Sequence, residues 1–131
     1  TTANNAVVQF HVSDILKTAE DEYPEAGIIV SNPPYVRESE KRHMRLNVLD
    51  HEPSQALFVT DADPLLFYRR LEQIARRRLM AGGRIYMEIN EALGSHARAL
   101  FENDYFEDLR LTKDIRGKDR VLTARRNGRK G

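Results

Sequence analysis

Apolar residues in the first part of the chain follow two patterns, and both predict β-strands. In the stretch "VVQFHVSD", Val8, Phe10 and Val12 alternate with other residues, which is the period of a half-buried strand. The later run "AGIIVSN" is short, continuously apolar and rich in β-branched residues. Such a run is typical of a strand that a parallel sheet buries on both faces.

The best-defined helix is predicted in the second half of the chain. Asp63 and Pro64 match an N-cap followed by the proline often found at the first helical position. The pair Gly82 and Gly83 is expected to stop the helix. Between these limits apolar side chains recur at helical spacing, namely Phe67, Leu71, Ile74, Ala75 and Leu79.

The remaining elements continue an alternation of strands and helices. The run "RIYMEI" predicts a strand, residues 92–103 a second helix, and the runs "FEDLRLTKDI" and "DRVLTARR" an antiparallel hairpin that turns at "RGK". The order is strand, strand, helix, strand, helix, strand, strand. It predicts the α/β class, with right-handed crossovers and a mostly parallel sheet that has the hairpin as its antiparallel edge.

Composition limits the kinds of protein that this chain can be. Its 131 residues, 40% hydrophobic and 31% charged, suit one domain with a real core. The absence of cysteine excludes disulfides and thiolate metal sites, and it fits a reducing compartment, so we expect a cytoplasmic protein. A net charge of +1 argues against a general polyanion binder, and no apolar run has the length of a membrane span. No metal site is expected, because the histidines lack paired ligand spacing: His11, His43, His51 and His96.

The stretch "SNPPY" ends the second predicted strand with residues that cannot extend it. Asn32 precedes a proline and is therefore held in extended geometry, while Pro33 and Pro34 have fixed φ angles and no N–H to donate. This segment presents two acceptors, the side-chain oxygen of Asn32 and the carbonyl of Pro33. Two fixed acceptors suit a planar –NH2 group with two hydrogens to donate, and Tyr35 can stack on that group.

Asn-Pro is also a common way to open an ordinary turn, and that interpretation needs no ligand. Two features favour a site. Open α/β sheets bind ligands beyond the carboxyl ends of their strands. The charge-rich segment 37–61 has no sustained period and, at about 25 residues, is too long for an idle connection in a compact domain.

Taken together, these motifs resemble a known family. "SNPPY" after an apolar strand is similar to the [DNS]-Pro-Pro-[aromatic] motif of S-adenosylmethionine-dependent amino-methyltransferases, which act on adenine N6, guanine N2 or glutamine N5. The stretches "HEPSQAL", "GGRIYMEI" and "KDIRGKDRVLTAR" resemble, in the family's order, the release-factor glutamine methyltransferases of the HemK/PrmC type. The resemblance runs from Asn5 to about Arg125. It implies the C-terminal portion of a Rossmann-like class I methyltransferase fold, with S-adenosyl-L-methionine as co-substrate and no metal.

The resemblance also implies what the residues of the Asn-Pro-Pro-Tyr motif do. Asn32 and the Pro33 carbonyl would accept hydrogen bonds from the side-chain amide of a glutamine in a peptide chain release factor. Pro34 and Tyr35 complete the motif, and Tyr35 would pack on the amide. Asn32 would also border the methyl donor, whose sulfonium lies in line with the amide nitrogen.

Further positions match the family outside this motif. Asp14 matches the acidic residue that accepts a hydrogen bond from the adenine amine of the cofactor, although a helix N-cap is an equally good interpretation, and Ile15 would line the adenine pocket. Glu52 and Pro53 match a landmark of the substrate-side loop. Glu88, near the end of a predicted strand, is either a pocket-lining residue or a carboxylate paired with a nearby arginine.

The chain departs from the family pattern at its start. The glycine-rich turn after the first strand and the acidic residue that ends the second, which bind the cofactor in such enzymes, are both absent. We therefore expect residues 1–131 to be a partial methyltransferase domain from the C-terminal portion of a longer protein, with residues 127–131 as a flexible tail. An apolar strand edge that has lost its neighbour is expected to make the fragment self-associate into a homo-oligomer.

Two alternative functions stay open on the sequence. An adenine N6 methyltransferase acting on DNA or RNA would need a base-flipping pocket and a strongly basic face. The net charge and the "HEPSQAL" stretch argue against it, so nucleic acid is not the expected substrate. The second alternative is a non-catalytic, self-associating half-domain. Neither alternative involves a membrane.

Overall fold

The computed structural model describes residues 6–33 and 63–128. Its strands are β1 (Ala26–Ser31), β2 (Leu79–Glu88), β3 (Phe106–Lys113) and β4 (Asp119–Arg126). Its helices are α1 (Leu66–Arg78) and α2 (Gly94–Leu100), together with two single-turn 3-10 helices, Glu20–Glu22 and Glu91–Leu93. Among the described residues, no helix combines the length and the apolar character that crossing a membrane requires.

The four strands form one mixed sheet in the order β1-β2-β4-β3. β1 runs parallel to β2, and β4 is antiparallel to both of its neighbours. The predicted α/β class, mixed sheet and terminal hairpin are therefore confirmed. The hairpin forms the antiparallel edge as predicted, with β3 outermost and β4 next to β2. The prediction of a mostly parallel sheet is wrong for the described strands, because only one of their three pairings, β1 with β2, is parallel. Within the hairpin, β4 takes the inner position. The reason is its composition: three consecutive residues of β4 are buried on both faces, Leu122, Thr123 and Ala124, whereas β3 exposes charged residues.

Both helices contribute to a core on one face of the sheet. The buried cluster joins side chains of α1, β2, α2 and β4, including Tyr68, Leu71, Ile85, Met87, Ala97 and Leu122. Each large apolar side chain buried there stabilises the fold by roughly 1.5–3 kcal/mol. On the opposite face, the apolar side chains of β1 and β2 are exposed, as Ile28, Val30 and Tyr86 show. The prediction that β1 is buried on both faces is therefore wrong, because no described element covers its second face.

The strand predicted from "VVQFHVSD" is not present. Residues 6–14 adopt no regular secondary structure, and the Phe10 side chain is 87% exposed. In the part of the chain that the structure describes, no strand pairs with this segment. Because a strand is stable only when its backbone groups pair with a neighbour, the alternating pattern alone does not produce one here.

The predicted limits of the first helix need correction. α1 begins at Leu66, two residues beyond Pro64, and ends at Arg78 rather than at the glycine pair. Gly82 and Gly83 lie inside β2, at an irregularity in its register with β1. Gly82 has a φ of +82°, and a Cβ on Gly83 would lie 2.8 Å from the carbonyl oxygen of Gly27. Gly82 therefore supplies a left-handed backbone conformation and Gly83 allows a close approach between strands, and neither residue ends the helix.

The second predicted helix is shorter than expected. The pattern over residues 92–103 forms the 3-10 helix Glu91–Leu93 and then α2. Asn90 caps the 3-10 helix, because its side-chain oxygen accepts a hydrogen bond from the Ala92 N–H at 3.0 Å. This cap fixes the chain just beyond β2, at the edge of the sheet where the candidate site lies.

Candidate active site

Two predicted site residues lie side by side at the carboxyl edge of β1 and β2. The last register pair of these parallel strands is Ser31 with Met87. Asn32 and Glu88 follow them directly, so the next register step places these two residues opposite each other. Adjacent strands lie about 4.8 Å apart, and residues in register project from the same face. The carboxyl edge therefore carries an amide-bearing and a carboxylate-bearing residue on neighbouring strands.

Asn32 is exposed and lies just beyond the end of β1, while Pro33 is buried. Within residues 6–33 and 63–128, the Asn32 side chain makes no hydrogen bond. Its amide oxygen is therefore not used by any described donor. The other members of the predicted site, Pro34, Tyr35, Glu52 and Pro53, lie outside the described residues.

Glu88 is the last residue of β2 and is half-buried. It forms no ion pair with any residue that the structure describes. Arg84, the arginine of the same strand, pairs instead with Asp108 at 2.6 Å. The pairing with an arginine that the sequence left open is thus not observed in the described part of the chain.

A hydrogen bond from the chain just beyond β2 to α1 fixes the carboxyl end of β2. Asn90, buried two residues after Glu88, donates its backbone N–H to the hydroxyl oxygen of Tyr68 at 2.9 Å. Tyr68 lies on α1 and is fully buried. The sequence did not predict this contact, because Tyr68 matches the apolar stripe of the helix and no neighbouring residue in the sequence identifies its hydrogen-bond partner.

Asp14 begins a single turn rather than ending a strand. Its carboxylate accepts a hydrogen bond from the Leu16 N–H at 2.9 Å, and its carbonyl accepts from the N–H groups of Lys17 at 3.0 Å and Thr18 at 2.9 Å. The capping interpretation of Asp14 therefore describes the local structure. The side chain is nevertheless exposed, and a carboxylate has lone pairs for further donors.

Ile15, the next residue, packs against the core and lines a cavity of about 280 Å³. The cavity lies between β1, α1 and the segment that leads into β1, and its walls are mostly apolar: Ile15, Tyr23, Ile29, Ser31, Leu71 and Ile74. Ser31 directly precedes Asn32, so the cavity extends from the Asp14 turn to the carboxyl end of β1.

A metal site is not evident in the described ranges. Among residues 6–33 and 63–128, no three His, Asp or Glu side chains are grouped so that they could hold an ion. Of the four histidines, His43 and His51 lie outside these ranges. His11 and His96 are both exposed.

Comparison with known proteins gives consistent names. The chain is 48% identical over 122 residues to the release factor glutamine methyltransferase of Bacteroides thetaiotaomicron, a match that covers 93% of this chain and 44% of the relative. It is 47% identical over 119 residues to the protein of the same name from Flavobacterium psychrophilum, covering 91% and 41%. The chain thus spans less than half the length of these curated relatives.

The chain was also compared with protein-family models and with solved structures. No protein-family model matches the chain. The solved structure of a release-factor-specific protein-(glutamine-N5) methyltransferase from Alicyclobacillus acidocaldarius aligns with 90% of this chain and 99% of that chain, at 18% identity. Its TM-score of 0.45 is too low to bear on the fold.

Proposed function

Because the chain belongs to the release factor glutamine methyltransferase family, we propose that it supplies the substrate-amide site of such an enzyme. The reaction is transfer of a methyl group from S-adenosyl-L-methionine to the side-chain nitrogen N5 of a glutamine in a peptide chain release factor. The observation that carries the proposal is the exposed Asn32, whose amide no described residue engages, at the carboxyl end of β1 beside Glu88. Such a substrate implies that the protein works in the cytoplasm.

The reaction needs orientation more than it needs a strong base. The glutamine nitrogen attacks the methyl carbon, a C–N bond forms, the C–S bond breaks, and the sulfonium becomes a neutral thioether. The methylated nitrogen then releases one proton to solvent water. An amide nitrogen is a weak nucleophile because its lone pair is delocalised. Oxygen acceptors at Asn32 and at the Pro33 carbonyl would bind both N–H hydrogens, orient the lone pair and favour the developing positive charge.

The remaining motif residues have supporting roles in this proposal. Tyr35 would pack flat on the substrate amide, and Pro34 would keep the preceding carbonyl in place without adding a competing N–H. Glu52 and Pro53 belong to the loop on the substrate side. The four residues lie outside the described ranges, and their proposed roles rest on the resemblance of these motifs to the family.

The residues on the cofactor side fit a nucleoside. The Asp14 carboxylate is exposed and can accept a hydrogen bond from an exocyclic amine. Ile15 forms part of an apolar cavity wall, which suits the flat face of an adenine ring. Adenine needs an acceptor for its exocyclic amine and an apolar surface for its ring, so Asp14 and Ile15 fit S-adenosyl-L-methionine.

The proposal is tested by replacing Asn32 in the intact protein. Asn32→Ala should abolish most methylation of release factor while the affinity for S-adenosyl-L-methionine, measured by calorimetric titration, is retained. Ser95→Ala, at an exposed position of α2, is the matched control and should behave as wild type. Near-normal turnover by Asn32→Ala would refute the assignment. Methylation of DNA in preference to release factor, in a parallel assay, would refute the substrate.

We also propose that the chain self-associates through β1. In the described part of the chain β2 is the only strand paired with β1, and Ile28 and Val30 are 64% and 76% exposed. A strand with one unpaired edge and an apolar open face can pair with the same edge of a second copy. The occupant proposed for this surface is therefore another molecule of this chain.

A further inference from the structure

Arg70 makes more contacts with the Asp14 turn than any other side chain whose hydrogen bonds the structure describes. It lies on α1, and its side chain is only 14% exposed. Its Nε donates a hydrogen bond to the carbonyl oxygen of Ile15 at 2.7 Å, and an Nη2 hydrogen goes to the carbonyl oxygen of Thr18. One guanidinium group thus bridges both ends of the turn.

The other edge of the guanidinium is also fixed. Nη1 lies 3.1 Å from the carboxylate of Glu20 and 3.3 Å from the side-chain oxygen of Gln73. A hydrogen bond from its own backbone N–H, with added attraction from Arg70, lowers the pKa of Glu20, so this partner is charged at neutral pH. Arg70 therefore cannot swing away from the turn without breaking an ion pair and several hydrogen bonds.

The turn has little other support on its amino-terminal side. Residues 6–14 pair with no described strand, and their apolar side chains are exposed. Inside the turn, Asp14 accepts the N–H groups of Lys17 and Thr18, which leaves the carbonyls of Ile15 and Thr18 for other donors. Arg70 supplies those donors. Among the described residues, this segment is further attached by Ile15, which packs on the core, and by the Ser13 hydroxyl, which lies 3.5 Å from the Tyr23 hydroxyl.

We infer that Arg70 is a positioning residue for the cofactor side of the site: it holds the turn so that Asp14 and Ile15 face the adenosine half of the methyl donor. This inference rests on the proposed function. Arg70 contacts the backbone of the turn and is not itself placed against the donor. Its loss should therefore weaken cofactor binding and leave the glutamine site at the end of β1 intact.

The test compares Arg70→Lys with Arg69→Lys in the intact protein. Arg69 is a matched control, because it is the neighbouring residue on α1 and also forms a two-bond ion pair, with Asp63 at 2.9 and 3.0 Å. A lysine at position 70 can serve one carbonyl but not both. The KM for S-adenosyl-L-methionine should rise about tenfold in Arg70→Lys, while kcat and the KM for release factor change less than about twofold. Arg69→Lys should change none of these constants.

A second measurement reports the turn itself. Amide hydrogen exchange at Lys17 and Thr18 should be about tenfold faster in Arg70→Lys than in wild type or Arg69→Lys. An unchanged KM for the cofactor would overturn the inference, and so would an equal rise in both KM values together with a lower Tm. Absence of cofactor binding by the wild-type protein would instead reject the proposed function, and that result appears before any variant is compared.

Discussion

The hydroxyl oxygen of Tyr68 accepts a hydrogen bond from the backbone N–H of Asn90 at 2.9 Å. This contact joins the middle of α1 to the chain just beyond β2. Both residues are buried, so water does not compete for the bond. The end of β2 that carries Glu88 is thereby fixed relative to the core.

Replacing Tyr68 by Phe should destabilise the protein by about 1–3 kcal/mol, because it removes the acceptor and leaves a buried N–H unsatisfied. Urea unfolding measures the change. Tyr86→Phe is the control, because Tyr86 is 38% exposed on the open face of the sheet. Removing its hydroxyl should lower the free energy of unfolding by less than about 0.5 kcal/mol. Equal effects of the two variants would contradict the role given to Tyr68.

Glu88→Gln should lower the methylation kcat of the intact protein about tenfold, because a carboxylate beside Asn32 favours the positive charge that develops on the substrate nitrogen. The Tm should not change, since Glu88 has no ion pair with a described residue. Glu91→Gln, which removes the exposed pair with Lys118 at 3.4 Å, should leave the kcat unchanged. If Glu88→Gln has the kcat of the wild type, the proposed role of Glu88 in the site is wrong.

A buried carboxylate on α1 provides a test of stability. Glu72 is buried and binds Arg76 through contacts of 2.8 and 3.0 Å and Asn103 at 3.1 Å. Glu72→Gln keeps the shape of the side chain but removes its charge. It should lower the free energy of unfolding, measured by chemical denaturation, by about 2 kcal/mol.

Glu102→Gln is the matched control for Glu72→Gln. It breaks a pair with Arg98 at the same i,i+4 spacing, but at 3.8 Å and with both side chains about half exposed. That loss should cost no more than about 0.5 kcal/mol. A larger cost for Glu102→Gln than for Glu72→Gln would show that burial does not decide the strength of these pairs.

The β3–β4 turn predicts a pH dependence. Hydrogen bonds from the backbone N–H groups of Lys118 and Arg116 to the Asp114 carboxylate lower its pKa. Because the folded pKa lies below the unfolded one, the carboxylate stabilises the fold above about pH 4, and this contribution is lost as the pH falls through the folded value. Asp114→Asn should thus have a lower Tm than wild type at pH 7, and the difference should shrink by pH 3.

Asp21→Asn, at an exposed position before β1, is the control for this titration and should follow the wild-type Tm at both pH values. A constant difference between wild type and Asp114→Asn from pH 7 to pH 3 would mean that the Asp114 carboxylate does not act through its ionisation.

Self-association is tested by sedimentation of the 131-residue chain over a range of concentrations. The wild-type chain should form dimers or larger assemblies, and Ile28→Lys should shift it towards monomer, because the lysine places a charge on the exposed apolar face of β1. Ile115→Lys makes the same change at a fully exposed residue near the hairpin turn and should have no effect. A wild-type monomer at every concentration would refute the proposal.

Local pattern was sufficient for most of the elements and for part of the site. The apolar run before Asn32, the helix around Leu71 and the final hairpin all form where the sequence predicts them. In each case one local cause dominates, such as a β-branched apolar run or a helical apolar stripe. Asn32 was identified for the same reason, since a polar residue before two prolines must end the strand wherever the sheet lies.

The errors share a cause that no local pattern contains. The stretch "VVQFHVSD" has the alternation of a strand, but no described strand pairs with it. The sequence predicts that Gly83 stops the helix, whereas the structure places it next to the carbonyl of Gly27 on the neighbouring strand. The hydrogen bonds of Tyr68 with Asn90 and of Arg70 with Ile15 join residues that are far apart in sequence.

The sequence by itself determined where β1 ends and which residue types its end presents, because these depend on side-chain chemistry and on the fixed φ of proline. The tertiary structure alone decided which strands pair, that β4 lies inside the sheet, and that Asn32 and Glu88 share one edge. The physical reason is that strand pairing and side-chain contacts are made with partners supplied by distant parts of the chain.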